Sequence, residues 1–109
     1  MFQGLAASLV VCGHTHMQFD RMVGRTRVVN AGSVGAPFGR PGADWLLLSD
    51  QVQLRHTSYD LASAADRVRA TRYPQADEFA RQSILEPPSE EEMARVFANV
   101  SFELAAGER

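Results

Sequence analysis

Residues 9–12, Leu-Val-Val-Cys, form a short apolar run without alternation. Such a run predicts a strand buried on both faces, with neighbours on both sides. Residues 17–23 alternate instead, with Met17, Phe19 and Arg21 facing one way and Gln18, Asp20 and Met22 the other. Gly24-Arg25 marks a tight turn, and Thr26-Arg27-Val28-Val29-Asn30 returns, so residues 18–30 predict a β-hairpin. Residues 31–42 hold four glycines and two prolines, which neither a helix nor a long strand tolerates. A loop of this kind connects two elements or brings backbone N–H groups close to a ligand. Asp44-Trp45-Leu46-Leu47-Leu48 reads as the next strand and Ser49-Asp50 as a turn. Residues 51–57 alternate again, with Val52, Leu54 and His56 on one face, which makes a second hairpin with His56 as a structural or rim histidine.

The pattern changes period after Tyr59. Asp60 is placed to cap a helix running to about Thr71, with Leu61, Ala64, Ala65 and Val68 as its inner stripe. Pro74 introduces a second helix over residues 75–85, burying Phe79 and Ile84. Glu86-Pro87-Pro88 interrupts it. Ser89 to Glu92 then has the form of a capping box with an acidic first turn. Met93, Val96, Phe97, Val100 and Leu104 form the apolar face of this third helix, and residues 105–109 are expected to fray. Residues 2–8 read as the last turns of a helix.

Composition narrows the class. A chain of 109 residues is one domain or part of one. Its apolar fraction of 45% and charged fraction of 22% are ordinary for a globular protein. A net charge of −2 and a pI near 5.9 give no electrostatic footprint for nucleic acid or anionic lipid. The single cysteine, Cys12, excludes an intrachain disulfide, suits a cytoplasmic setting, and reads as a small buried hydrophobe rather than a reactive thiol. The apolar run ending in Cys12 lacks the basic flank of a leader and is too short to span a bilayer.

The chemistry concentrates in Gly13-His14-Thr15-His16. Histidine is the commonest side-chain metal ligand and binds as the neutral ring. In extended backbone, positions i and i+2 point the same way, so the two imidazoles can share one pocket at a strand mouth. A bare His-x-His also reads as two surface histidines in a loop; the glycine and the strand that feed this pair favour the pocket. Val10-Val11-Cys12-Gly13-His14-Thr15-His16, a hairpin, and then Asn30-Ala31-Gly32-Ser33-Val34-Gly35 together resemble the C-terminal half of a calcineurin-like metallophosphoesterase, of the small bacterial and archaeal phosphodiesterase branch. That family ends with Gly-His-x-His and an Asn-Pro-Gly-Ser loop, and Ala31 is the one departure within Asn-x-Gly-Ser.

The resemblance implies an α/β fold, the C-terminal half of a four-layer αββα sandwich, with strands and motif loop over about 9–58 and a helical tail over about 60–105. It implies a dinuclear site hydrolysing phosphate esters, with His14 on one divalent ion and His16 on the other. Manganese, iron, nickel and zinc all suit imidazole. Asn30, Gly32 and Ser33 would shape the loop beside the metals or offer N–H groups to phosphate. Arg40 would clamp phosphate or stand solvated. The family's other ligands, Asp-x-His, Gly-Asp-x-x-Asp and Gly-Asn-His-Asp/Glu, all precede Gly-His-x-His, and residues 1–12 contain none of them. The expectation is therefore a C-terminal fragment, inactive alone, of a metal-dependent phosphoesterase. A non-functional remnant is the next reading, and a protein-interaction scaffold of the same fold the third.

Overall fold

The computed structural model describes residues 8–107, with side chains described through residue 99. The architecture is mixed α/β. Five strands, β1 (Leu9–Cys12), β2 (Phe19–Val23), β3 (Thr26–Asn30), β4 (Ala43–Leu48) and β5 (Val52–Thr57), form two small sheets. Three α-helices follow, α1 (Leu61–Arg69), α2 (Ala76–Phe79) and α3 (Glu90–Gly107). The helix expected over residues 2–8 falls, apart from Ser8, outside the described residues.

The first sheet has the order β1-β3-β2. β1 pairs with β3 in parallel, Leu9 opposite Arg27 and Cys12 opposite Asn30. β2 and β3 form the expected hairpin, turning at Gly24 (φ 63°) and Arg25 between the paired Val23 and Thr26. A two-residue turn of this hand favours glycine at its first position. The sequence misplaced the buried strand. β1 is an edge among the described residues, and its Val11 is 45% exposed. The strand with partners on both sides is β3, where Val28, Val29 and Asn30 are buried. The apolar run of β1 reflects its composition, whereas the central position goes to the strand that pairs twice.

β4 and β5 form the second hairpin, with Leu48 opposite Val52 and Asp44 opposite His56. The helical segment has its own apolar cluster: Ala65, Ala80 and Ile84 are buried, with Leu61, Ala64, Val68, Phe79 and Leu85 packed around them. The Asp60 side chain accepts from the Ser63 N–H at 3.0 Å, which is the expected cap. The second helix departs from expectation: after one α-helical turn it widens to a π-helix over Ala80–Leu85, with Glu86 N–H donating to Arg81 C=O at 2.9 Å. Ala80 and Ile84 both pack in one cluster with Ala65 of α1. Ser89 Oγ accepts from the Glu92 N–H at 3.1 Å and opens α3. α3 continues to Gly107, through part of the stretch expected to fray. Val96, placed on its apolar face by spacing, is 46% exposed, and the side chains of Val100 and Leu104 lie outside the described residues. None of the described helices is long and apolar enough to cross a membrane.

Candidate metal centre

β1 delivers the chain to Gly13 at the end of the first sheet, and the two imidazoles follow. Their backbone is not extended. His14 has φ 77° and His16 has φ 60°, both in the left-handed region. The period-2 argument for a common direction therefore fails. The chain instead makes a compact double bend, closed by Thr15 N–H donating to Gly13 C=O at 3.0 Å. Non-glycine residues rarely adopt positive φ, and each such residue costs on the order of 1–3 kcal/mol that its surroundings must offset.

Asn30 supplies much of that offset. It is 1% exposed at the end of β3, opposite Cys12. Its amide donates to Gly13 C=O at 2.8 Å and to Thr15 Oγ1 at 3.0 Å. Its carbonyl oxygen accepts from the Gly32 N–H at 2.9 Å. One side chain thus ties the histidine bend to the start of the glycine-rich loop. These bonds occupy both amide hydrogens.

The two rings are held differently. His16 is half-buried, and its Nδ1 lies 2.9 Å from Ala36 C=O. A carbonyl only accepts, so Nδ1 carries the proton, and in the neutral ring Nε2 keeps its lone pair. A ring nitrogen tied to a carbonyl in this way is the usual support of a metal-binding histidine. The Phe38 ring lies 4.9 Å away, and Phe38 N–H donates to His16 C=O at 3.2 Å. The exposed His14 ring has no hydrogen-bond partner among the described residues; it stacks on Phe97 of α3 at 6.3 Å.

The remaining loop residues fix the frame. Gly32 (φ 82°) packs so tightly that a Cβ there would lie 2.7 Å from Asp44 Cβ and 2.9 Å from Gln18 Cγ. Ser33 Oγ accepts from the Ala36 N–H at 2.9 Å, and Ser33 C=O from the Asp44 N–H at 3.0 Å. Arg40 stands at the loop's far end, largely exposed, 3.7 Å from Asp44 Oδ1. The buried Asp44 accepts from His56 Nδ1 at 2.7 Å, so His56 is a structural cross-strand partner. Gln18 was missed by sequence reasoning. Its amide reaches the carbonyls of Ala31 (3.4 Å), Trp45 (3.2 Å) and Arg55 (2.9 Å), joining the histidine segment to the second sheet. Nothing in an alternating stretch distinguishes such a glutamine from a solvated one.

Two cavities flank the strands. One of about 460 Å³ opens beside the bend, between Thr15, Met17 and Phe19 on one side and Glu90 and Ala94 of α3 on the other. Another of about 490 Å³ lies away from the histidines, between Leu9, Arg27 and the β4–β5 turn. Asp20 and Arg27 brace the first hairpin through a 2.6 Å ion pair. The hydrogen bond from Arg27 holds the Asp20 carboxyl below its usual range, and the same bond raises Arg27.

As a donor set, His14 and His16 suit a divalent ion in type, and His16 has the supporting Nδ1 bond. They do not complete a site: among the described residues no group of three or more His, Cys, Asp or Glu side chains could hold an ion.

The family model of the calcineurin-like phosphoesterase superfamily domain matches residues 2–51. No curated protein and no solved structure matches the chain. The matched span takes in β1, the histidine bend, the first hairpin, the glycine-rich loop and β4. Residues 2–51 are thus similar to the calcineurin-like phosphoesterase superfamily domain, the family that Gly13-His14-Thr15-His16 and Asn30-Ala31-Gly32-Ser33 resemble.

Proposed function

We propose that the chain supplies two metal-ligating imidazoles, His14 and His16, to a metal-dependent phosphoesterase whose remaining ligands lie outside the described residues. The observation that carries this reading is the bend itself. Two non-glycine residues separated by one position sit at positive φ, and Asn30 holds them there. Strain of that kind persists where a site needs a particular geometry. The Nδ1 bond of His16 adds a second support, since it leaves Nε2 as the donor atom.

In this reading each histidine serves a different ion of a pair, and the sheets belong to the larger four-layer sandwich of the family. Bound divalent ions would supply charge stabilisation to a phosphoryl group and a water acidic enough to attack it. This chain's own residues hold the two imidazoles, fix the tautomer of His16 through Ala36, and keep the loop of Asn30, Gly32 and Ser33 beside them. Arg40, with Asp44 as its nearest anion, is a weaker candidate for phosphate contact.

The test is a metal titration alongside an assay with bis(4-nitrophenyl) phosphate and manganese. The expected result is metal binding that is lost in His14→Ala and His16→Ala, without turnover by the 109 residues alone. Turnover abolished by His14→Ala would mean that the chain holds a whole site, and an absence of binding would remove the metal reading. A second reading, an interaction scaffold, draws on the edge position of β1 among the described residues and the exposure of Val11. A stoichiometric partner held by metal-free protein, and released by a proline at Val11, would favour it.

A further inference from the structure

The motif singled out by sequence lies in residues 13–16, yet the ring of His14 makes its aromatic contact with α3. We infer that Phe97 is a positioning residue for His14, so that the third helix completes the histidine pair. This inference rests on the metal reading above.

The two rings differ in how their planes are held. A metal ligand needs its ring plane fixed, and a hydrogen bond on the second nitrogen is the common means. His16 has that bond, from Nδ1 to Ala36. His14 has none among the described residues, and its exposed position leaves its side-chain torsions free to sample other rotamers. The group lying against it is the Phe97 ring, with centroids 6.3 Å apart and planes inclined by 30°. A ring stacked on the face of an imidazole restrains the plane while leaving both in-plane lone-pair directions open. It also favours the charge the imidazole gains on binding a cation.

Phe97 is itself held in place. Its ring lies 6.3 Å from Phe38, which in turn lies 4.9 Å from His16, so one aromatic row runs from His16 to His14. The start of α3 is tied to the same loop, because Gly39 N–H donates to Pro88 C=O at 2.9 Å. Glu90, Ala94 and Phe97 recur at helical spacing, and the first two line the cavity that opens beside Thr15. One face of α3 therefore runs along the histidine bend, and the Ser89 cap fixes where that face begins.

The experiment compares Phe97→Leu, which keeps apolar bulk, with Phe97→Tyr, which keeps the ring. In metal-free protein, proton NMR of the imidazoles reads the contact directly. The His14 ring protons are expected upfield in the parent and in Phe97→Tyr, and to lose that displacement in Phe97→Leu, with the His56 protons unmoved. Nickel titration reads the consequence: affinity about tenfold weaker in Phe97→Leu and restored in Phe97→Tyr, the scale typical of supporting groups around a metal. Unchanged His14 shifts in Phe97→Leu would overturn the inference, as would altered shifts with unaltered nickel affinity. If the parent binds no nickel while the His14 shifts respond as expected, Phe97 does fix the ring and it is the metal reading that fails.

Discussion

The strand region and the helical region of this chain are held together by different physics. Around the histidine bend the buried groups include polar side chains, Asn30 and Asp44, beside Val28 and Val29, and Gln18 gathers three carbonyls at its margin. Between α1 and the π-helical segment the buried groups are apolar and small: Ala65, Ala80 and Ile84. Polar networks are directional, so when fully satisfied they rigidify a loop, and the loss of one member leaves a costly unpaired group. Apolar packing tolerates substitution of similar volume.

The largest expected effect of breaking this contrast is Gly32→Val. It combines a β-branched residue at φ 82° with a Cβ 2.7 Å from Asp44 Cβ. Backbone strain and overpacking together should cost about 3 kcal/mol or more. Urea unfolding followed by Trp45 fluorescence should show the loss, while the helical far-ultraviolet signal of residues 61–85 survives. Ile84→Ala is the converse. Removing the largest of the buried side chains in the helical cluster should cost about 2 kcal/mol, the lower end for a buried isoleucine because that cluster is small. Helical circular dichroism should report it, and Trp45 should not.

The smallest effect concerns the Asp20–Arg27 pair. The Asp20 carboxyl is lowered from 3.8 by the hydrogen bond from Arg27. A lowered carboxylate stabilises the fold fully above its unfolded value, and that contribution fades as pH falls from there through the lowered value. The same bond raises Arg27, so its share is complete at neutral pH and is lost only in strong alkali, as pH rises through the raised value. Asp20→Asn should therefore flatten the stability profile below about pH 4. Both side chains are exposed, so the change is small and should shrink further in salt. A profile unchanged by Asp20→Asn would show that the pair contributes nothing to the first hairpin.

Much of this was legible in the sequence. Alternation and Gly24 located the first hairpin, Asp60 and Ser89 located two helix starts, and the glycines and prolines of residues 31–42 located the loop. The motif located the two histidines. What escaped is non-local. Parallel pairing made β3 the central strand, and nothing in residues 9–12 records that. The positive φ of His14 and His16 depends on Asn30, which is 14 positions from the nearer of the two. Gln18 and Phe97 looked like ordinary members of an alternating strand and an amphipathic helix. Their roles arise from segments brought together only by the fold.

The most direct test of the account is zinc titration of the chain followed by nitrogen-15 NMR of the imidazoles. The account expects the His16 Nε2 resonance to move to the metal-bound range while Nδ1 keeps its proton against Ala36. The His14 ring should respond at the same metal ratio, and His56, held by Asp44, should stay unchanged. Zinc taken first by His56, or a His16 Nε2 that never responds, would contradict it.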